Sequence, residues 1–310
     1  MRRLFITGES GFVGRAFDRL RAHAVAQYGW ELVSAGGAYD LQDADSLDRV
    51  LNHARPDAVI HLDRQDVAAE VLSDPVDTED INLQGTLMLL QSLQRTGFNG
   101  SFLYVSSSEV YGPVDPAVLP ITELQALHPQ NQYAVSKVAA ELLCHQWSRK
   151  LPWRIMTARP FKHIGTGQRE DFVIASVARQ MARIKLGLQA PRIVVGDIDQ
   201  SHDFLDVEDV ISAYLALLAT GQNGEVYNVC SGKEYLIRDL IASMFYLTEI
   251  DASIEQEPTG MHPTGSRRVK GCNKKIELTT GWKPGIPMQQ TLLNILSDWD
   301  ARVAADAAAQ

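Results

Sequence analysis

The sequence predicts an α/β fold, with a mostly parallel sheet, helices on both faces and a smaller C-terminal lobe. Three observations predict it. Strand-like and helix-like segments alternate through the first half of the 310-residue chain, and strands separated by helices call for a parallel sheet covered on both faces. A glycine turn stands at the first strand-to-helix junction. Beyond about Arg159 the alternation loosens into shorter pieces, which sets a second lobe apart.

Each element follows from its residues. Leu4-Phe5-Ile6 is a short β-type run, and a helix-compatible stretch extends from Phe12 to about Gln27. Trp30–Val33, Ala58–Leu62 and Ser101–Val105 form the second, third and fourth strands. A long helix over roughly 76–96 lies between the last two, and another over 133–149 precedes the strand Arg154–Ala158. The second half offers helices near 170–186, 207–219 and 236–247, with strands at Arg192–Val195 and Val226–Val229. Glu255–Lys275, rich in Gly, Pro and charge, reads as a long surface-facing connection. The Ala-rich end, Arg302–Gln310, frays or extends a final helix. Residues 1–160 are therefore expected to form one domain. Residues 161–310 mainly form a second lobe, with segments returning to the first.

Composition removes several function classes. Apolar content of 45% and charged content of 22% suit a folded enzyme. With 29 Lys plus Arg against 38 Asp plus Glu, the net charge is -9, and no basic run is present to hold a nucleic-acid backbone. Cys144, Cys230 and Cys272 are widely spaced and form no CxxC unit, so neither a disulfide framework nor a zinc site is expected. His61, His128, His145 and His163 lack metal-ligand spacing. Asp203, Asp206 and Asp209 read as turn and helix-start residues, and no metal is expected. No run approaches the ~18 apolar residues of a membrane span. Residues 1–7 read as a buried strand rather than a signal peptide, which makes the cytoplasm the expected location.

The turn Thr7-Gly8-Glu9-Ser10-Gly11-Phe12-Val13-Gly14 gives the fold its first chemistry. Gly8 permits a tight turn, Gly11 lets backbone approach a pyrophosphate, and Gly14 lets the helix pack closely on the sheet. Amides at the helix start then face an anionic dinucleotide, as in a Rossmann-type fold. NADPH and NADH both remain open as the cofactor. Ser34-Ala35-Gly36-Gly37-Ala38 supplies no acid after the second strand, nor an arginine for a 2′-phosphate. Asp40 either meets the adenosine part or is a solvated turn residue.

A second constellation carries acid-base chemistry. Asn131-Gln132-Tyr133-Ala134-Val135-Ser136-Lys137 places Tyr133 and Lys137 four residues apart on one helix face. Tyrosine holds its proton to about pH 10, but a nearby ammonium favours the phenolate and makes proton exchange with a sugar oxygen practicable. The same ammonium can hold the nicotinamide ribose. Ser107, in Val105-Ser106-Ser107-Ser108-Glu109-Val110-Tyr111-Gly112 after the fourth strand, is the candidate to hydrogen-bond the reacting oxygen.

TGESGFVG, SSSEVYG and YAVSK together resemble the extended short-chain dehydrogenase/reductase family. Finer similarity runs almost end to end. INLQGTLMLLQSL, QYAVSKVAAELLCHQW, ARPFKHIGTGQ, FVIASVARQMARIKLG, VGDIDQSHDFLDVEDVISAYLALL, GEVYNVCSG and TTGWKPGIPMQQTLLNILSDW resemble the GDP-6-deoxy-4-keto-D-mannose reductases, relatives of the GDP-mannose 4,6-dehydratases. The resemblance implies NAD(P)H-dependent reduction of a GDP-linked 4-keto sugar to GDP-D-rhamnose. It also implies a homodimer paired through a four-helix bundle of the helices near 76–96 and 133–149, with neither nucleic acid nor membrane as partner.

The resemblance assigns residues by position. Ser107, Tyr133 and Lys137 fall on the catalytic triad. Gly8, Ser10, Gly11, Phe12, Val13, Gly14, Asp40, Leu41, Leu62, Asp63, Tyr133, Lys137 and Pro160 fall on the cofactor site. Ser107, Ser108, Glu109, Lys162, His202 and Arg267 fall on the substrate site. Glu109 matches the carboxylate with which the dehydratases abstract a sugar proton, although reductases also carry an acid there. A dehydratase or 4-epimerase is therefore the second reading, and a catalytically impaired nucleotide-sugar-binding paralogue the third.

Departures from the family pattern cluster in two places. Asp63 and Arg64 replace small residues after the third strand, beside the expected cofactor. At the nucleotide end, Lys162 replaces an Asn, His202 an Arg, and Gly260 and His262 two further arginines; Gln132 replaces a Pro. Arginine is permanently charged and binds phosphate bidentately, so its loss moves the burden to Lys162, Arg267, Arg268 and Lys270.

Overall fold

Short, mostly apolar runs build the central sheet of the computed structural model, which describes residues 1–35, 39–62, 80–257 and 267–309. Its strands are β1 (Arg2–Thr7), β2 (Trp30–Val33), β3 (Ala58–His61), β4 (Ser101–Val105), β5 (Arg154–Pro160) and β10 (Val226–Val229). All pair in parallel, in the order β10-β5-β4-β3-β1-β2. β3 is buried along its whole length, as a strand covered on both faces must be.

Ten α-helices are described. On one face α1 (Phe12–Arg19), α2 (Arg21–Tyr28), α7 (Val207–Thr220) and α9 (Lys274–Thr280) bury Phe12, Phe17, Ile211, Tyr214 and Ile276 against the sheet. On the other, α3 (Ala44–Ala54), α4 (Gly85–Arg95) and α5 (Gln132–Ser148) contribute Leu47, Leu51, Leu89, Leu93, Ala140 and Cys144. Strand β10 and helix α7 come from the second half of the chain, so that half completes the sheet and covers one of its faces.

A second core lies in the C-terminal lobe. There α6 (Val173–Lys185), α8 (Ile237–Thr248) and α10 (Met288–Ala308) pack around β7 (Arg192–Val195), burying Met181, Ile193, Ile241, Leu296 and Trp299. The Ala-rich end thus extends a final helix, held by Trp299 and Val303 on its buried face. Short strands β6 (Lys162–Ile164), β8 (Ser201–His202) and β9 (Phe204–Asp206) join the lobe to the sheet; β6 pairs with β9 in parallel, and β8 pairs antiparallel with β11 (Tyr235–Leu236).

Three expectations are corrected. The helix read from Phe12 to Gln27 is two helices, because the chain leaves helical geometry at Leu20. Arg21 restarts it, with its guanidinium on the Leu32 carbonyl and the Asp18 carboxylate. The described part of the helix read over 76–96 opens as a π-turn, Asp80–Gln84, before α4 begins. The Thr86 hydroxyl donates back to the Asn82 carbonyl at 2.6 Å, and the Asn82 amide donates to Ser136 Oγ at 2.9 Å.

The third correction concerns Glu255–Lys275, which is no simple surface connection. Ser253–Gln256 is a strand, β12, parallel to β7. Residues 258–266, including Gly260 and His262, lie outside the described set. Beyond them the backbone of Arg267–Cys272 bonds to Ser201 and Ile121. The buried Asp203 carboxylate draws this segment in, accepting bonds from Gly271 N, Ser231 N, Ser231 Oγ and Gly232 N. No helix among the described residues is long and apolar enough to cross a membrane.

Candidate active site

The site gathers at the carboxyl ends of the central strands, where ligands of such sheets bind. β1 ends at Thr7, and Gly8 turns the chain at φ +73°; the Gly11 amide closes this turn on the Gly8 carbonyl at 3.0 Å. A Cβ on Gly14 would stand 2.4 Å from the Gly8 carbonyl oxygen and 2.6 Å from Glu9 Cα. Only glycine lets α1 start this close to the strand, so the amides of its first turn open at the strand end. Arg15 holds the Ser10 carbonyl from the side. Phe12 is buried with its ring stacked on His163, while Val13 is half-buried.

Around this turn, Thr7 Oγ1 meets His61 Nδ1 at 2.7 Å, and His61 Nε2 meets Thr86 Oγ1 at 3.0 Å. That buried chain ties the ends of β1 and β3 to α4. Leu62 is buried just after β3, and Leu41 is buried against Gly85. Asp40 is exposed and accepts the Gln42 amide within its own turn at 2.9 Å. Asp63 and Arg64 lie outside the described residues. Pro160 ends β5 in register with Val229. The Ser106 hydroxyl, immediately after β4, is buried without a hydrogen-bond partner among the described residues. The glycine cradle and this unsatisfied hydroxyl fit a dinucleotide lying across the strand ends.

The catalytic candidates stand on two adjoining pieces. Asn131 caps α5, its side chain accepting the Ala134 amide at 2.7 Å, and Tyr133 follows half-exposed in the first turn. Lys137 lies one turn on, only 1% exposed. Its Nζ donates to the Val105 carbonyl at 2.8 Å and stands 5.6 Å from the centroid of the Tyr133 ring and 5.1 Å from that of Tyr104. Ser107 heads a 3-10 turn over Ser108–Tyr111. Its Oγ accepts the Glu109 amide at 3.1 Å. Ser107 and Ser108 are half-buried, and Glu109 is exposed.

The lobe side is built differently. Lys162 is exposed, with its pKa lowered by desolvation while Glu109 pulls the other way. His202 is buried, with Nε2 facing Gln200 Oε1 at 3.2 Å and no partner for Nδ1 among the described residues. Its pKa falls to about 3, through desolvation first and the nearby Lys162 second, so at neutral pH it is an uncharged imidazole. Arg267 is exposed and reaches Asp197 at 3.3 Å; Arg268 is paired with Glu234 at 2.7 Å.

Sequence reasoning missed a buried polar chain under the site. Arg159 grips Glu141 through two bonds, at 2.9 and 2.6 Å, and donates to Tyr111 Oη at 3.0 Å; Tyr111 donates to Asn228 Oδ1 at 2.6 Å. One signal was available: Glu141 stands four residues beyond Lys137, so a charge falls on the buried face of α5. Asp206 caps α7, and Asp209 accepts the Gly285 and Ile286 amides. Among the described residues no group of three His, Cys, Asp or Glu could hold a metal.

The family model described as GDP-mannose 4,6 dehydratase matches residues 37–295. A GDP-6-deoxy-D-mannose reductase of Pseudomonas aeruginosa is 53% identical over 302 residues, spanning 97% of this chain and 98% of the relative. GDP-mannose 4,6 dehydratase 1 of Arabidopsis thaliana is 27% identical over 271 residues, spanning 86% of this chain and 73% of the relative. Among solved structures, RMD from Pseudomonas aeruginosa complexed with NADPH aligns with a TM-score of 0.92 at 51% identity, covering 97% of this chain and 100% of that one.

Proposed function

This chain belongs to the GDP-mannose 4,6 dehydratase family of extended short-chain dehydrogenases/reductases, and we propose that it reduces the C4 keto group of GDP-4-keto-6-deoxy-D-mannose to give GDP-D-rhamnose. The observation that carries the reading is a Ser107, Tyr133 and Lys137 set beside a glycine cradle, in a chain similar over nearly its whole length to a GDP-6-deoxy-D-mannose reductase.

Bound NAD(P)H supplies the hydride that reduces C4. Tyr133 gives its phenolic proton to the C4 oxygen as negative charge develops there. Ser107 donates a hydrogen bond to the same oxygen and so stabilises that charge. Lys137 is held by the Val105 carbonyl with its ammonium near the Tyr133 ring, where it favours the phenolate left behind. Exposed Lys162 is a cation for the substrate's diphosphate, and Arg267 and Lys270 stand on the segment that bonds to Ser201 and Ile121. Exposed Val135 and Leu142 on α5 support pairing of α4 and α5 with a second copy as a four-helix bundle, in a cytoplasmic homodimer.

The test is a 1H-NMR and mass-spectrometric assay of purified protein with GDP-4-keto-6-deoxy-D-mannose and NADPH or NADH. Stoichiometric cofactor oxidation with formation of GDP-D-rhamnose is expected. Exposed Glu109 beside Ser107 favours one second reading, a 4,6-dehydratase; turnover of GDP-mannose without added reductant would establish that instead.

A further inference from the structure

Ser107 and Tyr133 must reach one oxygen together, yet they stand on separate pieces of chain. Besides the bond of Lys137 Nζ to the Val105 carbonyl, two groups of hydrogen bonds join those pieces.

At the near end, Asn131 uses both halves of its amide. Its Oδ1 caps α5 through the Ala134 amide at 2.7 Å, and its Nδ2 donates to Glu109 Oε2 at 3.1 Å. Glu109 is itself bonded through its backbone amide to Ser107 Oγ. One side chain therefore spans from the start of the Tyr133 helix to the Ser107 turn. That contact also occupies one oxygen of the Glu109 carboxylate.

At the far end, Tyr111 closes the same turn. Its hydroxyl donates to Asn228 and accepts from Arg159, which holds Glu141, one turn past Lys137 on α5. All four residues are at most 5% exposed. Burial pushes the Tyr111 hydroxyl up to about 12, so it keeps the proton it donates to Asn228. Asn228 is fixed in turn, donating to the Ile121 carbonyl at 3.0 Å and, through its backbone amide, to Glu123 Oε1 at 2.8 Å.

We propose that Asn131 and the Tyr111–Arg159–Glu141 chain are positioning residues that clamp the Ser107 turn to the Tyr133–Lys137 helix at two points and so fix the Ser107–Tyr133 spacing. The inference rests on the catalytic reading of Ser107, Tyr133 and Lys137. A displacement of about 1 Å at such a pair costs roughly 100-fold in rate, so the clamp acts on kcat rather than on ligand affinity.

The experiment separates the clamp from the cap. Asn131→Asp keeps a good capping acceptor but sets a carboxylate against Glu109. It is expected to melt near the wild-type temperature, to bind GDP and NADPH with unchanged Kd, and to lose about 100-fold in kcat. Glu109→Gln keeps an acceptor for Asn131 and serves as the baseline. In the Asn131→Asp/Glu109→Gln double variant the bond is restored in reverse, the new amide donating to the new carboxylate, and kcat returns to that baseline. Tyr111→Phe, which removes the far hydroxyl alone, is expected to lower kcat with KM unchanged. Wild-type kcat in both Asn131→Asp and Tyr111→Phe overturns the clamp. So does an Asn131→Asp loss that the double variant fails to restore. Tyr133→Phe keeps the two failures apart. If it turns over normally, the catalytic reading falls; if it is inert while the clamp variants are normal, only the clamp falls.

Discussion

The strand-end side of the site and the lobe side are held in opposite ways. Beside Tyr133, Lys137 Nζ, Ser107 Oγ and the Asn131 amide each have a named partner, and the supporting chain from Asn228 to Glu141 is buried. On the lobe side, Lys162 is solvent-accessible, His202 presents an Nδ1 with no partner among the described residues, and Arg267 and Arg268 make exposed ion pairs. Exposed pairs of this kind contribute little and rearrange readily. On the proposed function the contrast separates two tasks: proton transfer needs fixed geometry, whereas recognition of a flexible diphosphate tolerates movable cations.

Tyr133→Phe breaks the comparison at its strongest point. A fall in kcat of about 100-fold to 10,000-fold is expected, with little change in GDP or NADPH binding by calorimetry. Arg159→Met should be the costliest change to stability. It leaves the Glu141 carboxylate buried and unpaired, an effect of about 3–5 kcal/mol readable as a shift in urea midpoint. Gly14→Ala forces a methyl against the Gly8 carbonyl; overpacking of this kind costs about 1–3 kcal/mol, and NADPH affinity should fall further than GDP affinity.

On the lobe side the effects are smaller and appear in binding. Lys162→Met is expected to raise KM for the nucleotide sugar about tenfold, near 1.4 kcal/mol, while kcat holds; a fall in kcat alone would move Lys162 to the catalytic side. The subtlest test uses pH. His202 has a folded-state pKa of about 3, below its ordinary value near 6.5. Its contribution is therefore full above about pH 6.5 and is lost as pH falls toward 3. Melting temperatures of wild type and His202→Gln should differ by a constant amount above about pH 6.5. Below it, wild type should lose ground to the variant.

The same division governs how much the sequence disclosed. The glycine turn, β1 to β5 and the Tyr133–Lys137 helix were legible because each is a local pattern of a few residues. Helix α3 went unread although Asp43 caps it and Leu47, Val50, Leu51 and Ala54 mark its buried face. The break at Leu20 has no proline or glycine to announce it. The Arg267–Cys272 segment looked solvent-exposed because its composition is polar, yet Asp203, far earlier in the chain, binds it. The Tyr111–Arg159–Glu141–Asn228 chain joins four elements, and no local pattern encodes a bond between positions 111 and 228. Among the site candidates, the pairing of Tyr133 with Lys137 on one helix face could be read from its spacing, while the environments of Lys162 and His202 depend on packing that only the fold supplies.

Strand β10 enters the sheet beside β5, and Asn228 upon it bonds to both Tyr111 and Ile121. The second half of the chain and the sheet that carries Ser107 are thus laced by the same strand that completes the sheet. A chimera joined near residue 160 would set β5 against a foreign strand and Tyr111 against whatever residue that strand carries in place of Asn228. Exchange of specificity between relatives should therefore succeed by grafting the loops around Lys162, His202 and Arg267, and fail by swapping halves.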